Sequence, residues 1–176
     1  MENLRITAIH EAGHFVAGYR MNIDNLEVSI EPDYADNRLG HNLQDDSHWS
    51  AKEGQDQVTA LCAGYAAVAA SGYDPEIASQ GCGNDFEKAG QIIGFWGLPS
   101  LEEQKASTVE WMREAKNMRA VVAVADELMN QKTVASDFLW QIVAHADGEC
   151  TDEELKMFRL FYAQCKQGHE LSPDRQ

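Results

Sequence analysis

The stretch TAIHEAGHFVAG, Thr7 to Gly18, holds two histidines four residues apart, with a glutamate directly after the first. In an α-helix residues i and i+4 lie one turn apart on the same face, so His10 and His14 can aim imidazole nitrogens at one point. Glu11 lies about 100° round the helix from His10, close enough to reach a water at that point without being a ligand itself. Ile6, Ile9, Val16, Ala17 and Met21 recur at helical spacings with no proline among them, which predicts one helix from about Leu4 to Met21. Glycine inside a helix costs about 1 kcal/mol relative to alanine, so Gly13 signals a close neighbour on that turn.

Outward from this helix the pattern changes. In NLEVSIEPDYADNRLGHNL, Leu26, Val28 and Ile30 alternate with polar residues, and Pro32, Asp33, Asn37 and Gly40 supply turn chemistry. A short strand, a loop and a return strand near Leu39 to Leu43 are expected. Ala51 to Ser71 reads as an alanine-rich helix whose Gly64 and small neighbours let another helix approach closely. After GYDPEIASQGCG a third helix is expected from a cap at Asn84 or Asp85 to about Phe95, stopped by Gly97 and Pro99. The rest reads as helices: one long pattern from Glu102 to Lys132, then Val134 to Ala144, then Asp152 to Cys165, the last opened by Thr151 and Glu154 as a capping box. The fold class is therefore mainly α, with a small β-sheet or hairpin beside the histidine-bearing helix.

Composition narrows the function classes. A hydrophobic share of 44% and a charged share of 24% over 176 residues are those of one folded domain with an ordinary core. The 14 basic against 29 acidic residues give a net charge of -15, which repels phosphate backbones and anionic membrane surfaces and argues against nucleic-acid binding. No segment has the run of apolar residues that a membrane span needs, and the start lacks a basic region followed by an apolar stretch. Cys62, Cys82, Cys150 and Cys165 form no C-x-x-C pair, so reduced thiols and a cytoplasmic location are expected.

The histidine pair defines the chemistry to be tested. A zinc ion at that point would acidify a bound water and polarise a carbonyl, and a carboxylate beside it can carry the proton to a leaving amine. Amide hydrolysis is the natural reaction. A catalytic zinc usually has three protein ligands and one open position. The metzincin arrangement would need glycine at position 17 and histidine at position 20, where this chain has Ala17 and Arg20. His41, His48, Asp45, Asp46, Asp56 and Asp85 remain as candidates for the third arm.

Four blocks in order narrow the choice. TAIHEAGHFVAGY, the strand and turn segment NLEVSIEPDYADNRLGHNL, the alanine-rich VTALCAGYAAVAASG and the loop block GCGNDFEKAG together resemble the zinc-peptidase domain of the FtsH-type family (peptidase family M41) over roughly residues 4–95. The resemblance implies a zinc metalloendopeptidase with His10, His14 and Asp85 as zinc ligands and Glu11 as general base. It implies one domain over 1–176, with a zinc-site core in 1–98 and C-terminal helices in 99–170. An extended polypeptide substrate would lie along the strand and return, at Val28, Ile30 and Gly40, through backbone hydrogen bonds. Asp85 reads alternatively as a helix cap, His41 as either an oxyanion contact or a solvent-facing loop residue, and Cys82 as either a thiolate donor or, at a position where the family has a small residue, a packing residue. His48, His145 and His169 receive no role.

The chain also departs from that family. It carries no G-x-x-x-x-G-K-[ST] phosphate loop, so no ATPase module is expected within these residues. Unfolded or small substrates, delivery by a separate ATPase, or self-association into a ring are the expected routes. Tyr65 and Val68 stand where the family commonly has arginine and glutamate. The alternative reading is a regulatory or interaction module that holds zinc with little or no turnover.

Overall fold

The computed structural model describes residues 2–32, 40–44 and 50–170. In chain order they form α1 (Glu2–Met21), β1 (Asn25–Ser29), β2 (His41–Gln44), α2 (Ala51–Ala70), α3 (Pro75–Ala78), α4 (Gly83–Trp96), α5 (Leu101–Met112), α6 (Ala115–Gln131), β3 (Thr133–Ala135), α7 (Ser136–Ala146) and α8 (Asp152–Glu170). The fold is mainly helical, with an antiparallel sheet in the order β2-β1-β3. Among the described residues no helix is long and apolar enough to cross a membrane.

The core is built around α1, which packs against both α2 and α6. Ala8, Ala12, Phe15 and Val16 are buried there with Ala60, Ala63 and Ala67 of α2 and Val121, Val124 and Leu128 of α6. The neighbour that Gly13 signals is α2. A Cβ at position 13 would collide with the Ala63 carbonyl and fall 2.7 Å from Ala67 Cβ, so the helical cost of glycine is offset by this close crossing.

Local chemistry sets the element ends. Ser50 accepts from the Glu53 amide at the start of α2, and Ser100 with Glu103 forms a reciprocal capping box on α5. Gly97 ends α4 in the left-handed region at φ 64, a conformation glycine adopts without steric cost. Thr151 and Glu154 exchange the expected bonds at the start of α8: the Glu154 amide donates to the Thr151 hydroxyl, and the Thr151 amide donates back to the Glu154 carboxylate.

Several expectations are corrected. The pattern from Glu102 to Lys132 is two helices, broken at Arg113 and Glu114, where Glu114 takes ψ 132. Neither glycine nor proline stands there. The break is stabilised by Asn117, 3% exposed, which donates to the Trp111 carbonyl at the end of α5 and accepts from Arg20 of α1. The segment from Val134 opens with β3, a strand the apolar pattern does not announce, and GYDPEIASQ contains the short α3. The strand around Val28 does not alternate cleanly: the ladder is irregular between Asn25 and Val28, leaving Leu26 70% exposed while Val28, Ser29 and Ile30 are buried. The return strand is β2, and Leu39 lies outside the described residues.

Candidate metal centre

The histidine pair comes from the middle of α1, and α2 orients it. His14 Nδ1 donates to the Ala60 carbonyl at 2.8 Å, since a carbonyl can only accept. That bond turns the Nε2 atom of His14 towards His10 Nε2, 3.0 Å away. His10 is supported from the other side, where its Nδ1 lies 3.9 Å from Cys82 Sγ, whose own thiol donates to the Ala78 carbonyl. Cys82 is fully buried and burial pushes its thiol up to about 12, so it packs as a neutral thiol beside the ring.

The third member of the group is Asp85. Helix α4 begins at Gly83 with Cys82 as N-cap and no side-chain cap bond, so the expectation of a cap at Asn84 or Asp85 is corrected. The Asp85 carboxylate instead reaches across to α1: its Oδ2 is 3.4 Å from His14 Nε2 and 3.6 Å from His10 Nε2. His10, His14 and Asp85 form a group that can hold a metal ion, their ligand atoms all within 4.8 Å of one another. A zinc ion with bonds of about 2.0–2.2 Å in tetrahedral geometry sets its donors roughly 3.3–3.6 Å apart; the two distances to Asp85 fall in that range, the imidazole pair at 3.0 Å is a little closer, and the two-imidazole, one-carboxylate donor set suits such an ion.

Charge at the site follows from burial and proximity. Burial alone would lower the His14 pKa, but the charge and hydrogen bond of Asp85, with the charge of Glu11, outweigh it and raise it to about 9. Burial would raise Asp85, but His14 and His10 hold it well below the usual carboxylate range. Glu11 is 6% exposed, and burial raises its pKa against the opposing pull of both histidines. Its carboxylate sits against Gly40, where a Cβ would fall 2.9 Å from Oε1.

The other sequence candidates scatter. Val28 and Ile30 are fully buried, and β1 is the middle strand, paired with β2 on one side and β3 on the other. Val28 is paired on both sides, with Asn42 and Val134, and the Ile30 amide donates to the Lys132 carbonyl. Gly40 does border the site, beside Glu11. His41 lies on β2 with Nε2 3.5 Å from Glu27 Oε1, and Asp56 forms an ion pair with Lys52. Asp45, Asp46 and His48 lie outside the described residues. Two contacts at the histidine rings are not expected from the sequence, although Gly64 is expected there to admit a neighbouring helix. One is the Ala60 carbonyl, for which no side-chain signal exists. The other is Gly64, where a Cβ would fall 2.5 Å from His14 Nε2 and 2.7 Å from His10 Nε2; its glycine in mid-helix was the available signal.

Compared with protein-family models and with curated proteins, the chain matches none.

Proposed function

We propose that this protein is a zinc-dependent peptidase, related to the FtsH-type family, that hydrolyses peptide bonds in unfolded or small polypeptides. The observation that carries the reading is the convergence of His10, His14 and Asp85, from two separate helices, with the buried Glu11 carboxylate beside them. Zinc held by these three residues would supply a Lewis acid that activates water and polarises the scissile carbonyl. Glu11 is the proton carrier: burial raises its pKa, so its carboxylate accepts a proton from the attacking water and returns it to the leaving amine nitrogen. The bond from His14 Nδ1 to Ala60 keeps the Nε2 lone pair of that ring for the metal, and the Asp85 carboxylate holds the pair in register. With β1 closed on both sides, the substrate backbone is assigned to β2, whose first residue follows the Gly40 that borders Glu11.

Metal analysis and cleavage of an unfolded protein such as casein test the proposal together. Wild type and Glu11→Gln should each hold about one zinc per chain, and His14→Ala little. Cleavage should be confined to wild type, with Glu11→Gln at least roughly a hundredfold slower. Full zinc in His14→Ala would overturn the ligand assignment. Zinc in wild type without cleavage of any unfolded substrate would assign the chain to the zinc-holding interaction module instead.

A further inference from the structure

We propose that Gly64 is a positioning residue for the histidine pair, an inference that rests on the metal-centre reading. The three atoms nearest a Cβ built at position 64 are all ring atoms of the two histidines: His14 Nε2 at 2.5 Å, His10 Cε1 at 2.6 Å and His10 Nε2 at 2.7 Å. No Cβ tolerates such contacts, so the hydrogen atom of glycine leaves the space in which both metal-facing ring edges meet. The rings have little freedom to withdraw. His14 is tied through Nδ1 to the Ala60 carbonyl, and His10 is backed by Cys82 Sγ.

Ala60 and Gly64 are four residues apart on α2, one above the other on the same face. One turn of α2 therefore does both jobs: its carbonyl at 60 fixes the rotation of one ring, and its bare backbone at 64 sets how far both rings extend. The crossing of the two helices is secured elsewhere. Gly13 meets the Ala63 carbonyl and Ala67 Cβ first, whereas the three atoms nearest a Cβ at Gly64 all belong to histidine rings. Backbone of the neighbouring helix is the nearest obstacle at Gly13, and the histidine rings are the nearest at Gly64. Glycine is also the poorest helix former after proline, so alanine at position 64 would strengthen α2 wherever space allowed it.

The test compares Gly64→Ala in the full-length wild-type chain and in a His10→Ala/His14→Ala background. Thermal unfolding is followed in chelator, and zinc affinity is measured by competition with a chromophoric chelator. In the wild-type background Gly64→Ala should lower the metal-free melting temperature and weaken zinc binding roughly ten- to hundredfold, the usual penalty for disturbing the support of a metal ligand. In the histidine-free background the same substitution should raise the melting temperature. Failure to fold only where both histidines are present supports the proposal equally. An equal thermal shift in both backgrounds, failure to fold in both, or zinc affinity within twofold of wild type overturns it. Should wild type bind no zinc, the metal-centre reading fails, and the thermal comparison still decides the role of Gly64.

Discussion

His14 is held at both ring nitrogens, and the second contact makes the metal-free site depend on pH. With Nδ1 donating to Ala60, the Nε2 atom lies 3.0 Å from His10 Nε2 and faces the Asp85 carboxylate at 3.4 Å, an acceptor that a proton on His14 satisfies. That proton occupies the place of a cation: burial disfavours it, but the charge and hydrogen bond of Asp85, with the charge of Glu11, raise the pKa from 6.5 to about 9. A folded-state pKa above the unfolded one stabilises the fold fully below pH 6.5 and ceases to do so as pH rises through about 9. Asp85, depressed in the fold, contributes above the ordinary carboxylate value of about 3.9 and loses its contribution at lower pH. The metal-free melting temperature should therefore fall between pH 6.5 and 9.5, and Asp85→Asn should flatten that slope. Zinc must displace the proton, so binding at pH 7 should release about one proton and tighten as pH rises. Calorimetry in buffers of different ionisation enthalpy measures this, and proton-neutral binding at pH 7 would contradict it. His10, Glu11 and His14 are readable in the chain because helical spacing alone brings them together. Asp85 is not: 71 residues separate it from His14, and only its block of neighbours marks it. Ala60 acts through a carbonyl and Gly64 through an absent side chain, so neither offers a chemical group to recognise.

At the scale of elements, apolar periodicity is informative where burial dictates structure and silent where a polar side chain does. The helices α1 and α2 follow their apolar and small residues, and the start of α8 follows its capping box. Thr151→Ala should cost about 1 kcal/mol by leaving the Glu154 amide without its acceptor, measured by urea denaturation. The division of α5 from α6 is different in kind. Apolar spacing runs through Met112, Ala115 and Met118 without interruption, yet the backbone turns at Glu114 because Asn117 takes over the Trp111 carbonyl. Asn117→Ala leaves that carbonyl and the Arg20 guanidinium each short of a partner, and should cost about 2 kcal/mol, more than loss of the exposed cap. Asn117→Leu, which continues the apolar pattern, should not recover the loss; full recovery would show that the break does not depend on the amide. The strand β3 is missed for a related reason. Its three residues pair with β1, and cross-strand pairing distant in the chain leaves no periodic trace in so short a segment.

For the whole molecule, α1 is the shared member: its middle carries the candidate metal ligands, and its end anchors the C-terminal helices. Arg20, in its last turn, donates to both carboxylate oxygens of Asp147 at 2.5 and 2.8 Å, and Lys116 at the start of α6 lies 3.3 Å from the same carboxylate. The Asp147 side chain is 1% exposed, so its charge depends on these two partners. Arg20→Ala leaves a buried carboxylate with Lys116 alone and should destabilise the fold by about 3 kcal/mol at pH 7. Burial would raise the Asp147 pKa, but the bond and charge of Arg20, followed by those of Lys116, hold it below its usual value. A depressed carboxylate stabilises the fold above its unfolded pKa of about 3.9 and ceases to do so as pH falls through its lower folded value. The gap between wild type and Arg20→Ala should therefore narrow as the solution is acidified below about pH 4. Six residues of helix, about 9 Å, separate Arg20 from His14, so zinc affinity should stay within roughly twofold of wild type under conditions where both proteins are folded. Urea denaturation at pH 7 and in acid, alongside zinc titration at pH 7, reads both effects. Loss of zinc from folded Arg20→Ala would show that the anchor and the metal centre act as one unit and not as two uses of a single helix.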